Sequence, residues 1–259
     1  MSHPSTLGLE GRSAVITGGS EGIGRAIALR LGQEGMELHL AARSHARLLE
    51  AQKEIQAVSK AAVHIYSLDL STNEGQDRLF QGCPHADVLV NNAGAIPGGT
   101  LSEIDDATWR NAWDLKVFGY INLSRHFYDV MRSRKSGVIV NIIGNSGQRP
   151  RADNIAGCVG NAALTAFTQA LGGRSLHDGI RVLGISPGPT ATRRVLSRER
   201  NAAHSPEARS FGSLPNGALS APEEIGEMTA FLISDKCTSV TGSIITVDMG
   251  TTYSGSFYA

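Results

Sequence analysis

Residues Thr17-Gly18-Gly19-Ser20-Glu21-Gly22-Ile23-Gly24 follow a strand-length apolar run, Ser13 to Thr17. They open a stretch that carries Ile23, Ile27 and Leu31 at helical spacing. Glycines in such a turn each answer a steric need. Gly18 permits a tight reversal, Gly22 lets the backbone approach a pyrophosphate, and Gly24 lets the helix pack closely on the sheet. The helix that follows presents unpaired N–H groups and a partial positive charge to a phosphate. A strand, a glycine turn and a helix in this order commit the chain to an α/β fold built to hold a nucleotide.

The rest of the chain keeps the same rhythm of strand-length apolar runs and longer helical stretches, the pattern of a parallel sheet. Strands are expected at Glu37 to Ala41, Val63 to Leu68, Asp87 to Asn91, Gly137 to Ile143, Arg181 to Ser186 and Ser243 to Val247. Helices are expected from Gly22 to Glu34, Ala46 to Val58, about Asp106 to Arg134, Ala162 to Leu176 and Pro222 to Ser234. Between Pro189 and Ala221 the chain turns polar and loses its period, which suggests a lid or substrate loop. No repeat or linker interrupts the pattern, so residues 1–259 read as a single domain.

Acidic and basic residues balance at 24 each, which leaves no electrostatic footprint for nucleic acid or an anionic membrane. No stretch reaches about 18 apolar residues, and Met1 to Leu9 lacks the pattern of a signal peptide. Cys83, Cys158 and Cys237 have no metal-binding spacing and are odd in number, so reduced thiols and a cytoplasmic address are expected. The histidines show no ligand spacing either, and no metal is expected.

The glycine turn, Asn91-Asn92-Ala93-Gly94 after the fourth strand and Pro187-Gly188 after the sixth together resemble the short-chain dehydrogenase/reductase family. The resemblance runs from about Leu9 to Asp248. It implies a Rossmann-type, doubly wound, seven-stranded parallel sheet, a nicotinamide cofactor, a small-molecule substrate and a homo-oligomer, tetramer or dimer.

By position in that family, Gly18, Ser20, Glu21, Gly22, Ile23 and Gly24 belong to the pyrophosphate turn. Asp69 and Leu70 are implied at the adenine, Asn91, Ala93 and Gly94 along the adenosine ribose, and Pro187, Gly188 and Thr192 at the nicotinamide end. Asp69 also reads as an acidic cap for the next helix, a role compatible with the first. Where an NAD enzyme places a carboxylate at the end of the second strand, this chain has Ala42, then Arg43 and Ser44. A guanidinium binds a 2′-phosphate through two N–H groups, so NADP(H) is favoured over NAD(H). The alternative is a solvated Arg43 and a site that accepts both.

The family's catalytic residues are absent: there is no Tyr between Tyr128 and Tyr253 and no Lys between Lys135 and Lys236. Aligning Asn161-Ala162-Ala163-Leu164 with the family's Lys-Ala-Ala-Leu places the Tyr position on Gly157 and the Lys position on Asn161. The Ser position falls near Gly144 and the Asn position on Lys116. An exchange is visible, since Lys and Asn have changed places. Lys116 is then a candidate to bind ribose hydroxyls or act as a general acid, against the ordinary alternative of a solvated charge. Asn145 and Ser146 are candidates to bond a substrate oxygen, or else belong to a locally satisfied turn. Cys158 reads as a buried thiol, and Arg149 and Arg151 as loop charges or partners for an anionic substrate. Two functions follow: an NADP(H)-dependent oxidoreductase on a carbonyl/alcohol pair with an altered acid–base site, or a non-redox nucleotide-binding protein, whether lyase, hydrolase or regulatory pseudoenzyme.

Overall fold

The computed structural model describes residues 7–202 and 219–254. Seven strands form one parallel sheet: β1 (Ser13–Thr17), β2 (Glu37–Ala42), β3 (Val63–Ser67), β4 (Val88–Asn91), β5 (Gly137–Ile142), β6 (Ile180–Pro187) and β7 (Ile244–Val247). Their spatial order is β3-β2-β1-β4-β5-β6-β7. The order reverses between β1 and β4, and a parallel sheet with such a reversal opens a crevice at the carboxyl ends of those two strands.

Alternation along the strands feeds two separate cores. Ala14 and Ile16 of β1 face one side, with Leu38, Leu40, Val88 and Val90. There they meet Ile27 and Leu31 of α1 (Gly22–Gln33), Leu48 and Ile55 of α2 (His45–Val58) and Ile225 and Ile233 of α8 (Pro222–Ile233). Val15, Leu89, Ile139 and Val182 face the other side. Their partners are Leu79 of α3 (Asn73–Gly82) and Leu123 and Phe127 of α5 (Gly119–Ser133). Every strand residue from Val88 to Asn91 and from Gly137 to Ile142 is buried, as expected for a sheet covered on both faces.

The helix expected from Asp106 to Arg134 is interrupted. After α4 (Asp106–Trp113) comes one π turn, Asp114–Phe118, in which the Gly119 N–H reaches back five residues to the Asp114 carbonyl. Such wide turns insert one extra residue and re-aim the side chains around them. The helix α6 (Ile155–Ser175) starts earlier than its apolar period suggested, and α3, expected only as a helix opening after an Asp69 cap, begins at Asn73 behind Thr72. The segment expected to be an aperiodic loop opens with a helix, α7 (Arg193–Ala202); residues 203–218 of that loop lie outside the described residues. Among the described residues no helix is long and apolar enough to cross a membrane.

Candidate active site

At the crevice the glycine turn is held from below by the end of β4. The Thr17 hydroxyl accepts the N–H groups of Asn92 (2.8 Å) and Ala93 (3.0 Å), while the Asn92 amide donates to the Thr17 carbonyl (2.9 Å). Gly18 takes φ +65°, a conformation that L side chains rarely adopt. A Cβ on Gly24 would sit 2.2 Å from the Gly18 carbonyl oxygen, so the close approach of α1 to the turn is absolute.

A cleft of about 340 Å³ lies over this turn, lined by Gly18, Ser20, Glu21, Gly22, Ile23 and, at its far end, Arg43 and Ser44. Ala93, Gly94, Leu70 and Thr192 also border it. The end of β2 brings no carboxylate to the cleft. Instead Arg43 stands exposed at the edge, its carbonyl accepting from the Ser67 hydroxyl at 3.0 Å. The Glu21 carboxylate is held at the mouth by Arg47 (3.1 Å) and Arg193. Ser44 caps α2 by accepting the Arg47 N–H. An α1 N-terminus without a side-chain cap, beside a turn whose Gly18 and Gly24 leave no room for a Cβ, fits the phosphates of a dinucleotide.

Three residues expected at the cofactor, Asn91, Asp69 and Gly24, do not line this cleft. Asn91 is fully buried in the sheet, where its amide donates to Ser124 (3.1 Å) and Asn141 (2.9 Å), and its neighbour Asn92 is the one that borders the cleft. The Asp69 carboxylate turns to the Ser71 N–H (3.0 Å) and hydroxyl (2.7 Å), which hold it below the usual carboxylate range. Nor does Asp69 cap α3; the Thr72 hydroxyl does so, accepting the Gly75 N–H. Gly24 packs beneath the turn and leaves the lining to its neighbours.

A second cleft of about 240 Å³ continues from the first, lined by Pro187, Gly188 and Thr192 on one side and Lys116, Ser146 and Asn161 on the other. The π turn places Lys116 here. Its stem packs on Gly94, where an added Cβ would meet the lysine Cδ at 2.8 Å. Its ammonium donates to the Ile143 carbonyl at 2.5 Å. Lost hydration, and then the charge of Arg194, push the Lys116 pKa down to about 7. Asn161 is buried on α6 and donates to the Ser146 hydroxyl at 2.8 Å; its own side-chain carbonyl oxygen has no hydrogen-bond partner among the described residues.

Asn145 leaves the site. Its buried amide donates to Thr251 (3.2 Å) and Thr252 (3.3 Å), anchoring the C-terminal segment, and the neighbouring Asp248 accepts the Thr252 N–H. Arg149 likewise serves that segment, donating to the Ser254 carbonyl at 2.8 Å, and Arg151 pairs with Asp153. The Cys158 thiol is buried against the backbone of Arg151.

Sequence reasoning missed Asn154. Its carboxamide fills the space beside Gly157, where an added Cβ would lie 2.7 Å from its Oδ1, and it borders the second cleft. The signal available was its place, one turn before Gly157 at the start of α6. Arg194 was also missed. It borders both clefts and donates to the Gly94 carbonyl at 2.8 Å.

Among the described residues no group of three His, Cys, Asp or Glu side chains is placed to hold a metal ion. Residues 12–203 match the short chain dehydrogenase family. Galactitol 2-dehydrogenase (L-tagatose-forming) of Cereibacter sphaeroides is 31% identical over 257 residues, covering 97% of this chain and 99% of that protein. Acetoacetyl-CoA reductase of Shinella zoogloeoides is 30% identical over 243 residues, covering 92% and 98%. L-sorbose reductase of Gluconobacter frateurii, solved in complex with NADPH and L-sorbose, superposes with a TM-score of 0.88 at 31% identity, covering 96% of this chain and 99% of that one.

Proposed function

Because this chain belongs to the short-chain dehydrogenase/reductase family of oxidoreductases, we propose that it is an NADPH-dependent reductase of small carbonyl compounds in which Lys116 manages the proton. The observation that carries this reading is the Lys116 ammonium, fixed to the Ile143 carbonyl inside the second cleft with a pKa of about 7. A general acid works best when its pKa lies near the working pH.

In this reading Arg43 and Ser44 hold the ribose 2′-phosphate, and the Gly18–Gly24 turn with the α1 N-terminus holds the pyrophosphate. When bound, NADPH supplies a hydride to the carbonyl carbon. Lys116 gives a proton from Nζ to the carbonyl oxygen, so the product is an alcohol and the lysine is left as a neutral amine that water reprotonates. Ser146, oriented by the Asn161 amide, aligns the substrate oxygen. The Ile143 carbonyl keeps Nζ in the cleft through both protonation states. The sheet and helices hold these groups in place beforehand, and orientation supplies much of the rate.

The loop spanning residues 189–221 serves as the substrate loop, with α7 at its base. Three unpaired buried cysteines support a cytoplasmic setting, and the family habit supports a homo-oligomer, tetramer or dimer. Loss of the reduced-nicotinamide absorbance across a panel of aldehydes and ketones tests the reading. Consumption that NADH does not match supports it. Tight NADPH binding with no consumption across the panel would overturn it in favour of a non-redox nucleotide-binding protein.

A further inference from the structure

The chain that leaves β7 touches both walls of the second cleft from behind. Asp248 opens a tight turn there, its carboxylate accepting the Gly250 N–H (2.9 Å), the Thr251 hydroxyl (3.1 Å) and the Thr252 N–H (2.7 Å). Met249 is held inside the turn at φ +53°, a left-handed conformation that a residue with a side chain adopts where its surroundings impose it. One wall meets the turn through Asn145, whose amide donates to the Thr251 and Thr252 hydroxyls, and the next residue is Ser146. Beyond Ser146, Gly147 sits so close on α6 that an added Cβ would lie 2.7 Å from the Ala162 nitrogen. The opposite wall meets the same turn through Gly188. Its N–H donates to the Val247 carbonyl at 3.0 Å, and an added Cβ would lie 2.6 Å from the Asp248 Cβ. Asn145, Asp248, Thr251 and Thr252 are all buried, so little water competes for these bonds.

We propose that this C-terminal turn is a strut that sets the width of the second cleft, and that Asn145 and Thr251 are positioning residues through which Asp248 fixes Ser146 opposite Gly188. The sheet register of β5 with β6 runs to Ile142 and Ile185, and past that pair the turn spans from one segment to the other. None of Asn145, Asp248, Thr251 and Thr252 lines the first cleft, so the strut acts on the far end of the cofactor and not on the adenosine end. This inference rests on the reading that NADP(H) lies along both clefts with its nicotinamide in the second.

Two nucleotides test it without turnover. NADP⁺ spans both clefts in that reading, whereas adenosine 2′,5′-bisphosphate carries the phosphorylated adenosine alone and needs only the first. In isothermal titration, Asn145→Ala and Thr251→Val should each weaken NADP⁺ about fivefold or more, the scale of a lost buried hydrogen bond, and leave the bisphosphate within about twofold. Thr251→Ser keeps the hydroxyl and should bind both as the native protein does. A merely structural role would weaken both nucleotides alike. Equal losses against intact native binding therefore overturn the strut and leave the cofactor reading in place. Unchanged NADP⁺ affinity in Thr251→Val, which keeps the shape of the side chain, overturns it too. A native protein that binds neither nucleotide removes the cofactor reading itself, and the inference falls with it.

Discussion

The Lys116 ammonium and the Ile143 carbonyl oxygen lie 2.5 Å apart, joining the π turn between α4 and α5 to the chain just beyond β5. Lost hydration, and then the charge of Arg194, disfavour the charged form of the lysine there and bring its pKa down to about 7. In the proposed reduction, a lysine so placed would deliver its proton from a fixed direction, which a lysine in water does not.

Lys116→Met should lower kcat for reduction by about 10²–10⁴-fold, the usual cost of removing a general acid. In the native protein, reduction should fall as pH rises through about 7, where the ammonium is lost, and this limb should vanish in the variant. Steady-state kinetics from pH 5.5 to 9 read both effects. An unchanged profile in Lys116→Met would take the residue out of the reaction.

The same group leaves a mark on stability. Its pKa falls from 10.5 in the unfolded chain to about 7 in the folded one, so between those values the unfolded state binds more protons. Stability of the cofactor-free protein should therefore rise with pH across that window from this source, and Lys116→Met should flatten the rise. Urea midpoints measured at pH 7 and pH 9.5 for both proteins make the comparison.

Arg43→Ala should weaken NADPH by about tenfold or more, the scale of a charge-assisted hydrogen bond, and leave NADH nearly unchanged. Fluorescence titration with each cofactor gives the two affinities. Equal losses would mean that Arg43 does not read the 2′-phosphate.

Gly157 and Asn154 should behave as a coupled pair. Alanine is worth about 1 kcal/mol over glycine inside a helix, but a Cβ at position 157 meets the Asn154 carboxamide at 2.7 Å. Gly157→Ala should gain little alone, and should gain most of that amount when introduced into Asn154→Ala. A double-mutant cycle by urea denaturation reports the coupling, and strict additivity would show that Asn154 does not fill this space.

Much of the architecture was legible because the strands of a parallel sheet are buried on both faces and so read as short apolar runs. The Ser13–Thr17 strand and its glycine turn identified the crevice from local chemistry alone. Side-chain direction was harder to read. Asn91 and Asn92 are adjacent and chemically identical, yet the first lies in the sheet against Asn141 and only the second turns up toward the glycines. Asn145 and Ser146 part in the same way, one to the C-terminal segment and one to the cleft. Asn154 and Arg194 escaped notice because their roles depend on contacts across the fold, with Gly157 and Gly94. The helix α3 has Gly75 and few apolar residues, and its single deeply buried leucine, Leu79, gives almost no periodic signal.

The π turn at Asp114–Phe118 holds one residue more than a regular helix would use for the same job. Deleting a single residue there would let the segment wind as an ordinary α-helix and swing Lys116 about 100° around the axis relative to its present aim. Beyond the turn, α5 could keep its buried face on the sheet. Chain length at this one place, and not only residue identity, therefore sets which side chain the helix offers to the cleft, and a one-codon insertion or loss is enough to exchange it.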